Sequence, residues 1–162
     1  MSDLSHVDSS GRARMVDVSA KAVTERMARA QGVIRMKPET LLAIRNNTMR
    51  KGDVLTVAKI AGIMAAKRTS ELIPLCHPIP LTDVDLTMTL DDALPGVRVA
   101  STAKTTAQTG VEMEAITAVC VTLITIWDMV KGVDNALEVG EILLTEKRGG
   151  RSGDWVRSEA TG

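Results

Sequence analysis

The chain has 162 residues, with Lys plus Arg and Asp plus Glu balanced at 20 each, which is the length of one domain with a sizeable core. With no net charge it has no field to draw it to a polyanion or an anionic bilayer. With no Phe, no Tyr and two Trp it has no platform for stacking bases, so nucleic acid and membrane are not expected as partners.

Residues 1–13 are polar and read as a mobile lead-in. Met15 to Ser19 alternates apolar and polar residues, the signature of a short strand. Lys21 to Met36 is ambiguous: its charges suit helix, while Gly32 to Met36 suits strand, so a strand is expected in the second half. Pro38 opens a short helix to Arg45 from the position where its missing N–H costs nothing. A basic turn over 46–52 follows, and Asp53 is placed to cap a helix running to about Arg68. On that helix Val54, Leu55, Val57, Ile60, Ile63 and Met64 are expected to face the core. Pro74, Pro78 and Pro80 rule out helix over Leu72–Leu81 and stiffen the loop around Cys76 and His77. Two strands, Thr82–Leu90 and Val97–Ala107, flank a turn at Asp91–Gly96.

Gly110 to Lys131 is the dominant helix, uncharged from Ala115 to Trp127 and polar at both ends. It reads as buried on nearly all sides, and as short of the roughly 20 apolar residues that a bilayer needs. A last strand, Leu137–Thr145, precedes a basic, Gly-rich tail from Lys147 that is expected to be flexible over 147–162. The order of elements suits one α+β domain over 1–162, a ferredoxin-like antiparallel sheet with two main helices on one face.

The long helix also places its charges. Asp128 and Lys131 share a face three residues apart, and an acid at a helix C-terminus needs such a partner because it opposes the dipole. Glu114 and Asp128 are separated by about 21 Å of helix, at 1.5 Å per residue. Both ends can serve one small site only if a second copy of the helix lies antiparallel alongside.

Neighbouring Cys and His side chains rarely reach each other, so His77 is favoured as a binding or proton-handling group over Cys76 as a nucleophile. Lys51 is either a solvated lysine or, in a site, a phosphate ligand or proton carrier. Lys147-Arg-Gly-Gly-Arg-Ser-Gly could wrap a polyphosphate with N–H groups and cations, although it fits neither a Walker A nor a dinucleotide fingerprint. Two Cys and two His make neither a disulfide framework nor a four-ligand zinc site. The opening Met-Ser-Asp-Leu-Ser-His-Val has no basic-then-apolar leader, and a cytoplasmic protein is expected.

Several segments together resemble the MoaC family of cyclic pyranopterin monophosphate synthases. They are Met15-Val-Asp-Val-Ser-Ala-Lys21, Lys51-Gly-Asp-Val with Ile60-Ala-Gly-Ile63, Ile73-Pro-Leu-Cys-His-Pro78, Thr109-Gly-Val-Glu-Met-Glu-Ala115, Asp128-Met-Val-Lys131 and Lys147 to Asp154. The departures are Trp127 where Tyr is usual, Cys120 where a small residue is common, and Val130 for Cys. The resemblance implies a homohexamer, a trimer of dimers with sites at subunit interfaces. It implies conversion of a cyclised GTP derivative into cyclic pyranopterin monophosphate with loss of diphosphate. No cofactor is required, and Mg2+ can accompany the triphosphate. It implies acid–base work by Asp128, Lys131 and Lys51. Substrate contacts fall to Leu75, Cys76, His77, Glu112, Met113, Glu114, Arg26, Lys21 and Lys147. The rival readings are a non-catalytic ligand sensor on the same fold and a nucleotide hydrolase using the basic loop.

Overall fold

The computed structural model describes residues 11–151 and 153–158. In chain order the elements are β1 (Thr24–Arg35), α1 (Pro38–Arg45), α2 (Val54–Lys67), α3 (Thr69–Leu72), β2 (Leu81–Asp91), β3 (Gly96–Ala107), α4 (Glu112–Val130), β4 (Glu138–Arg148) and β5 (Trp155–Val156). The sheet order is β2-β3-β1-β4-β5 with every neighbouring pair antiparallel. Strand β3 therefore lies between β1 and β2, which makes the split βαβ arrangement of the expected ferredoxin-like α+β fold. One apolar cluster joins Ile34, Leu41, Leu86, Val97, Leu123, Ile126 and Val130 between the sheet and its helices.

Most element boundaries match the sequence reading, and the departures have identifiable causes. Met15–Ser19 is not a strand; it runs as irregular backbone into a turn, because no described strand lies beside it to pair with. Strand β1 begins at Thr24, well ahead of the expected second half. Its small residues Ala28, Ala30 and Gly32 face the helices and its long residues Arg29 and Gln31 face the open side, a period of two hidden by low hydrophobicity. A Cβ at Gly32 would lie 2.8 Å from Leu123 and 2.9 Å from Val119, so this glycine lets α4 settle directly onto the sheet.

Helix α2 starts where Asp53 was expected to cap it, the carboxylate accepting from Thr56 N at 3.0 Å and from its hydroxyl at 2.6 Å. Val54 is buried and Leu55 and Ile63 pack against the core as expected, but the rest of the inward face is different. Ala58, Gly62, Ala65 and Ala66 are buried, while Val57, Ile60 and Met64 are 41%, 54% and 53% exposed. Close approach to α4 requires small residues on the contact line: a Cβ at Gly62 would meet Thr122 Oγ1 at 2.1 Å and Ala118 O at 2.9 Å. Val57, Ile60 and Met64 are turned outward as a result. Helix α4 likewise keeps an open stripe, with Ile124 and Trp127 exposed and Ile116 and Cys120 half-buried, rather than being enclosed all round. By length and composition alone α4 could cross a membrane, yet 56% of its apolar window is packed inside the fold.

The tail folds back sooner than its composition suggests. Lys147 and Arg148 belong to β4, and Trp155–Val156 pairs with Glu146 and Lys147. Arg157 stacks over Trp155, its Cζ 5.5 Å from the ring centroid. The mobility expected of residues 1–10, 152 and 159–162 falls outside the described residues.

Candidate active site

The chain collects the expected site residues at the two ends of α4. At the N-terminal end, Lys21, Leu75, Cys76, His77, Glu112, Met113 and Glu114 line one cavity of 360 Å3, together with Val16 and Val18. The proline-stiffened loop supplies one wall and the first turn of α4 the other. His77 Nε2 lies 2.8 Å from Val16 O. A carbonyl only accepts, so Nε2 carries the proton and Nδ1 is left for other work. This contact also gives Met15–Ser19 its role as a wall rather than a strand.

Glu112 forms an ion pair with Lys147, 3.5 Å away, which ties α4 to the end of β4. Gly110 makes room for it, since a Cβ there would meet Glu112 Oε2 at 2.0 Å. Glu114 is only 4% exposed, and burial pushes its carboxyl up to about 7, with a further push from the negative charge of Glu112. Burial, and then the charge of Glu114, raise the Cys76 thiol as well, which disfavours the nucleophilic thiolate. Arg26 and Lys147 border the adjoining space beside Gly110, Glu112 and Gly149.

At the far end of α4 the second cluster forms. Lys131 Nζ lies 2.7 Å from one Asp128 oxygen and Lys51 Nζ 2.8 Å from the other. Lys51 also donates to Asp128 O at 2.7 Å, satisfying a carbonyl that the helix end leaves free. The turn before α2 sets that reach: Gly52, at φ +89, closes it with Gly52 N donating to Met49 O at 3.0 Å. Hydrogen bonds from Lys131 and Lys51 hold the Asp128 carboxyl down to about 2. A carboxylate this acidic is a poor base at neutral pH, whereas it is well suited to fixing two ammonium groups side by side.

A profile of the MoaC family matches residues 15–150, a span that takes in both clusters. The chain belongs to the MoaC family. It is 58% identical over 153 residues to a cyclic pyranopterin monophosphate synthase of Dinoroseobacter shibae, covering 94% of this chain and 97% of that protein. It is 58% identical over 158 residues to one of Cereibacter sphaeroides, covering 98% and 99%. A protein of the same name from Brucella ovis is 55% identical over 156 residues, covering 96% and 94%.

Within this MoaC chain the two clusters are separated by the length of α4, so one copy does not bring Lys51, Asp128 and Lys131 to the cavity around Glu114. Among the described residues no group of three or more His, Cys, Asp or Glu is arranged to hold a metal ion. Sequence reasoning did not find Lys51 as a direct partner of Asp128, because the two are 77 positions apart and only the fold joins them. It also passed over Gln108, whose amide donates to Ser19 O at 3.2 Å and Lys21 O at 3.1 Å and so holds the cavity's outer wall. Its position directly before the Thr109-Gly-Val-Glu signature was the one available signal.

Proposed function

We propose that this chain is a cyclic pyranopterin monophosphate synthase. It converts 3′,8-cyclo-7,8-dihydroguanosine 5′-triphosphate into cyclic pyranopterin monophosphate and releases diphosphate, an early step of molybdenum cofactor biosynthesis. The observation that carries this is near full-length identity of 58% to proteins of that name, with both charged clusters inside the matched span.

The half-buried cavity suits a ring, and the chemistry of its walls suits this one. Glu112 and Glu114 accept hydrogen bonds from an amino-pyrimidinone edge, Met113 and Leu75 cover its faces, and His77 presents a ring nitrogen. Lys21, Arg26 and Lys147 face the phosphates, where cations favour departure of diphosphate. Lys51 and Lys131, oriented by Asp128, move protons while the purine-derived ring opens and closes. Mg2+, where it takes part, arrives with the triphosphate.

The enzyme works as an oligomer, a hexamer built as a trimer of dimers, with each site drawing on two subunits. Two features support this reading. The clusters stand about 21 Å apart along α4, so an antiparallel neighbour is the simple way to unite them. The outward stripe of Val57, Ile60, Met64, Ile124 and Trp127 is apolar surface that a second copy would cover. A cytoplasmic location fits a nucleotide-derived substrate.

The test is product formation from enzymatically generated cyclised GTP, read as the oxidised fluorescent pterin, beside Lys51→Ala and Asp128→Asn. Turnover by wild type that collapses in both variants, with fold and mass unchanged, supports the synthase. Binding of the compound and its return unchanged would make the chain a sensor, and simple hydrolysis of its phosphates a hydrolase.

A further inference from the structure

Asp134 lies three positions beyond Lys131 and is 1% exposed, although it is a carboxylate. A carboxylate is buried this deeply only where hydrogen bonds replace its water. One oxygen accepts from Lys37 N at 2.8 Å and from Thr40 Oγ1 at 3.0 Å, and the other from Ala136 N at 2.8 Å. Lys37 is the N-cap of α1, and its own side chain makes no capping bond. Asp134 reaches it from 97 positions away and takes the part that an acid of the first turn plays in a capping box. Its charge also stands at the helix end that favours an anion.

This tie joins the two backbones that carry the lysines of the second cluster. Lys131 ends α4 on a short turn, closed by Val133 N and Asp134 N donating to Val130 O at 2.9 and 3.3 Å. Val130 is fully buried, so packing anchors the turn upstream and the Asp134 carboxylate anchors it downstream, with Lys131 and Gly132 exposed between them. The Lys51 turn hangs from the other end of α1, where Asn46 N donates to Leu42 O and Thr48 N to Ala43 O, each at 3.0 Å. A cavity of 580 Å3 lies between the two turns, bounded by Glu39, Ala43, Met49, Lys51, Met129 and Val133. The Lys51 turn therefore borders open space rather than close packing on this side. Two carboxylates span the gap: Asp128 ties Lys51 to Lys131 directly, and Asp134 ties their backbones through α1.

We infer that Asp134 is a positioning residue for the proposed reaction, fixing where Lys131 and the Lys51 turn stand so that Asp128 can hold both ammonium groups. Its three hydrogen bonds all go to other residues, so it acts through the backbone. The effect on turnover rests on the synthase reading, whereas the effect on the lysines rests on the fold alone. Proton transfer is steep in distance, and a misplacement of about 1 Å far from the chemistry can cost about a hundred-fold.

Nitrogen-15 spectra of the lysine ammonium groups test this on the full chain without turnover, at a temperature well below unfolding. Lys51→Arg, Lys131→Arg and Lys147→Arg assign the three signals. Asp134→Asn can keep its oxygen toward Lys37 and Thr40 only by setting an NH2 against the Ala136 N–H, and Thr40→Val removes one of the three bonds with the shape kept. Both variants should move the Lys51 and Lys131 signals toward that of an unpaired lysine. Lys147, paired with Glu112 at the far end of α4, should stay in place. In Asp134→Asn kcat should fall about ten- to a hundred-fold with KM within about twofold of wild type, and Thr40→Val should show a smaller loss. Should Asp134→Asn fail to fold, Thr40→Val carries the test. Unmoved Lys51 and Lys131 signals would overturn the proposal, as would an equal shift of Lys147, the mark of general loosening, or shifted lysines with unchanged kcat. A wild type that makes no product, with both lysines displaced in the variants, would keep the positioning role and discard the synthase, so the two failures are distinct.

Discussion

Lys51 Nζ lies 2.7 Å from the main-chain oxygen of Asp128 and 2.8 Å from its carboxylate, so one ammonium group joins the turn before α2 to the last turn of α4. Lys131 holds the other carboxylate oxygen at 2.7 Å. Each lysine is therefore held by its own oxygen of a single carboxylate. The carboxyl stays ionised at any pH near neutral, since its neighbours hold it down to about 2.

Asp128→Asn keeps the shape and removes the charge, so each ammonium loses its anchor while Lys51 keeps the carbonyl. Product formation is expected to fall by about 10²–10⁴, the usual worth of positioned proton transfer. The melting temperature should stay close to wild type, because the pair is solvent-exposed and exposed pairs add little to stability. A drop in melting temperature that matches the loss of activity would make the cluster structural.

Glu114 gives the pH dependence. Its carboxyl is raised from 4.5 to about 7, mainly by burial. The folded protein thus binds more protons than the unfolded chain between these values. Its contribution to stability is full below about 4.5 and is lost as pH rises through about 7. A shift of this size sets an upper bound on that contribution, and water in the open cavity reduces it to roughly 1–3 kcal/mol. Urea unfolding of Glu114→Gln should therefore show a flatter pH profile from 5 to 8 and, at pH 8, equal or greater stability than wild type. Substrate KM should improve in wild type above about 7, where the ionised carboxylate accepts from the amino group, and should lose that step in the variant. Identical pH profiles in both proteins would refute the assignment.

Gly62 carries the helix contact. Alanine favours a helix over glycine by about 1 kcal/mol, yet here a Cβ would stand 2.1 Å from Thr122 Oγ1, 2.6 Å from Leu86 Cδ1 and 2.9 Å from Ala118 O. Overpacking should win, and Gly62→Ala should destabilise by about 1–3 kcal/mol in chemical denaturation. Adding Thr122→Ala removes one clash but leaves the Ala118 backbone, so rescue should be partial. A stabilised Gly62→Ala would show that α2 can move away from α4 at no cost.

Legibility in the sequence followed the range of the interactions. Local rules placed α1, α2 and the β2–β3 hairpin, because Pro38, the Asp53 cap and the Asp91–Gly96 turn each act within a few residues. Strand β1 was only half read, because Ala28, Ala30 and Gly32 are buried for their smallness, not for their hydrophobicity. On α2 hydropathy was half right: Val54, Leu55 and Ile63 meet the core, but Val57, Ile60 and Met64 face outward while Ala58, Gly62 and Ala65 face inward. Met15–Ser19 has the pattern of a strand and no described strand to pair with. Asp134 carries no sequence motif, yet it is buried and accepts from Lys37 N at 2.8 Å and Thr40 Oγ1 at 3.0 Å, partners more than 90 positions away, as well as from nearby Ala136 N at 2.8 Å. The placement of Glu114 and Asp128 at opposite ends of α4 was legible from the helix rise alone, whereas the closing of Lys51 onto Asp128 depends on the fold.

The outward stripe makes the last prediction. Ile60 on α2 and Ile124 on α4 are 54% and 56% exposed, so a charge at either position disturbs nothing inside the chain. Ile124→Glu should keep its circular dichroism and lose oligomer mass in sedimentation, with activity falling in parallel. Trp127, 38% exposed in the single chain, reports the same event: with Trp155 replaced by Phe, its emission should move to longer wavelength when the oligomer comes apart. The shared site can be tested more directly by mixing two inactive proteins, Glu114→Ala and Asp128→Ala, under conditions that exchange subunits. If one site takes Glu114 from one subunit and Asp128 from its neighbour, a mixed interface contains some sites with both native residues, and part of the activity returns. Verified mixed oligomers with no recovery would place Glu114 and Asp128 in separate functions, and α4 would then be a core helix with two unrelated ends.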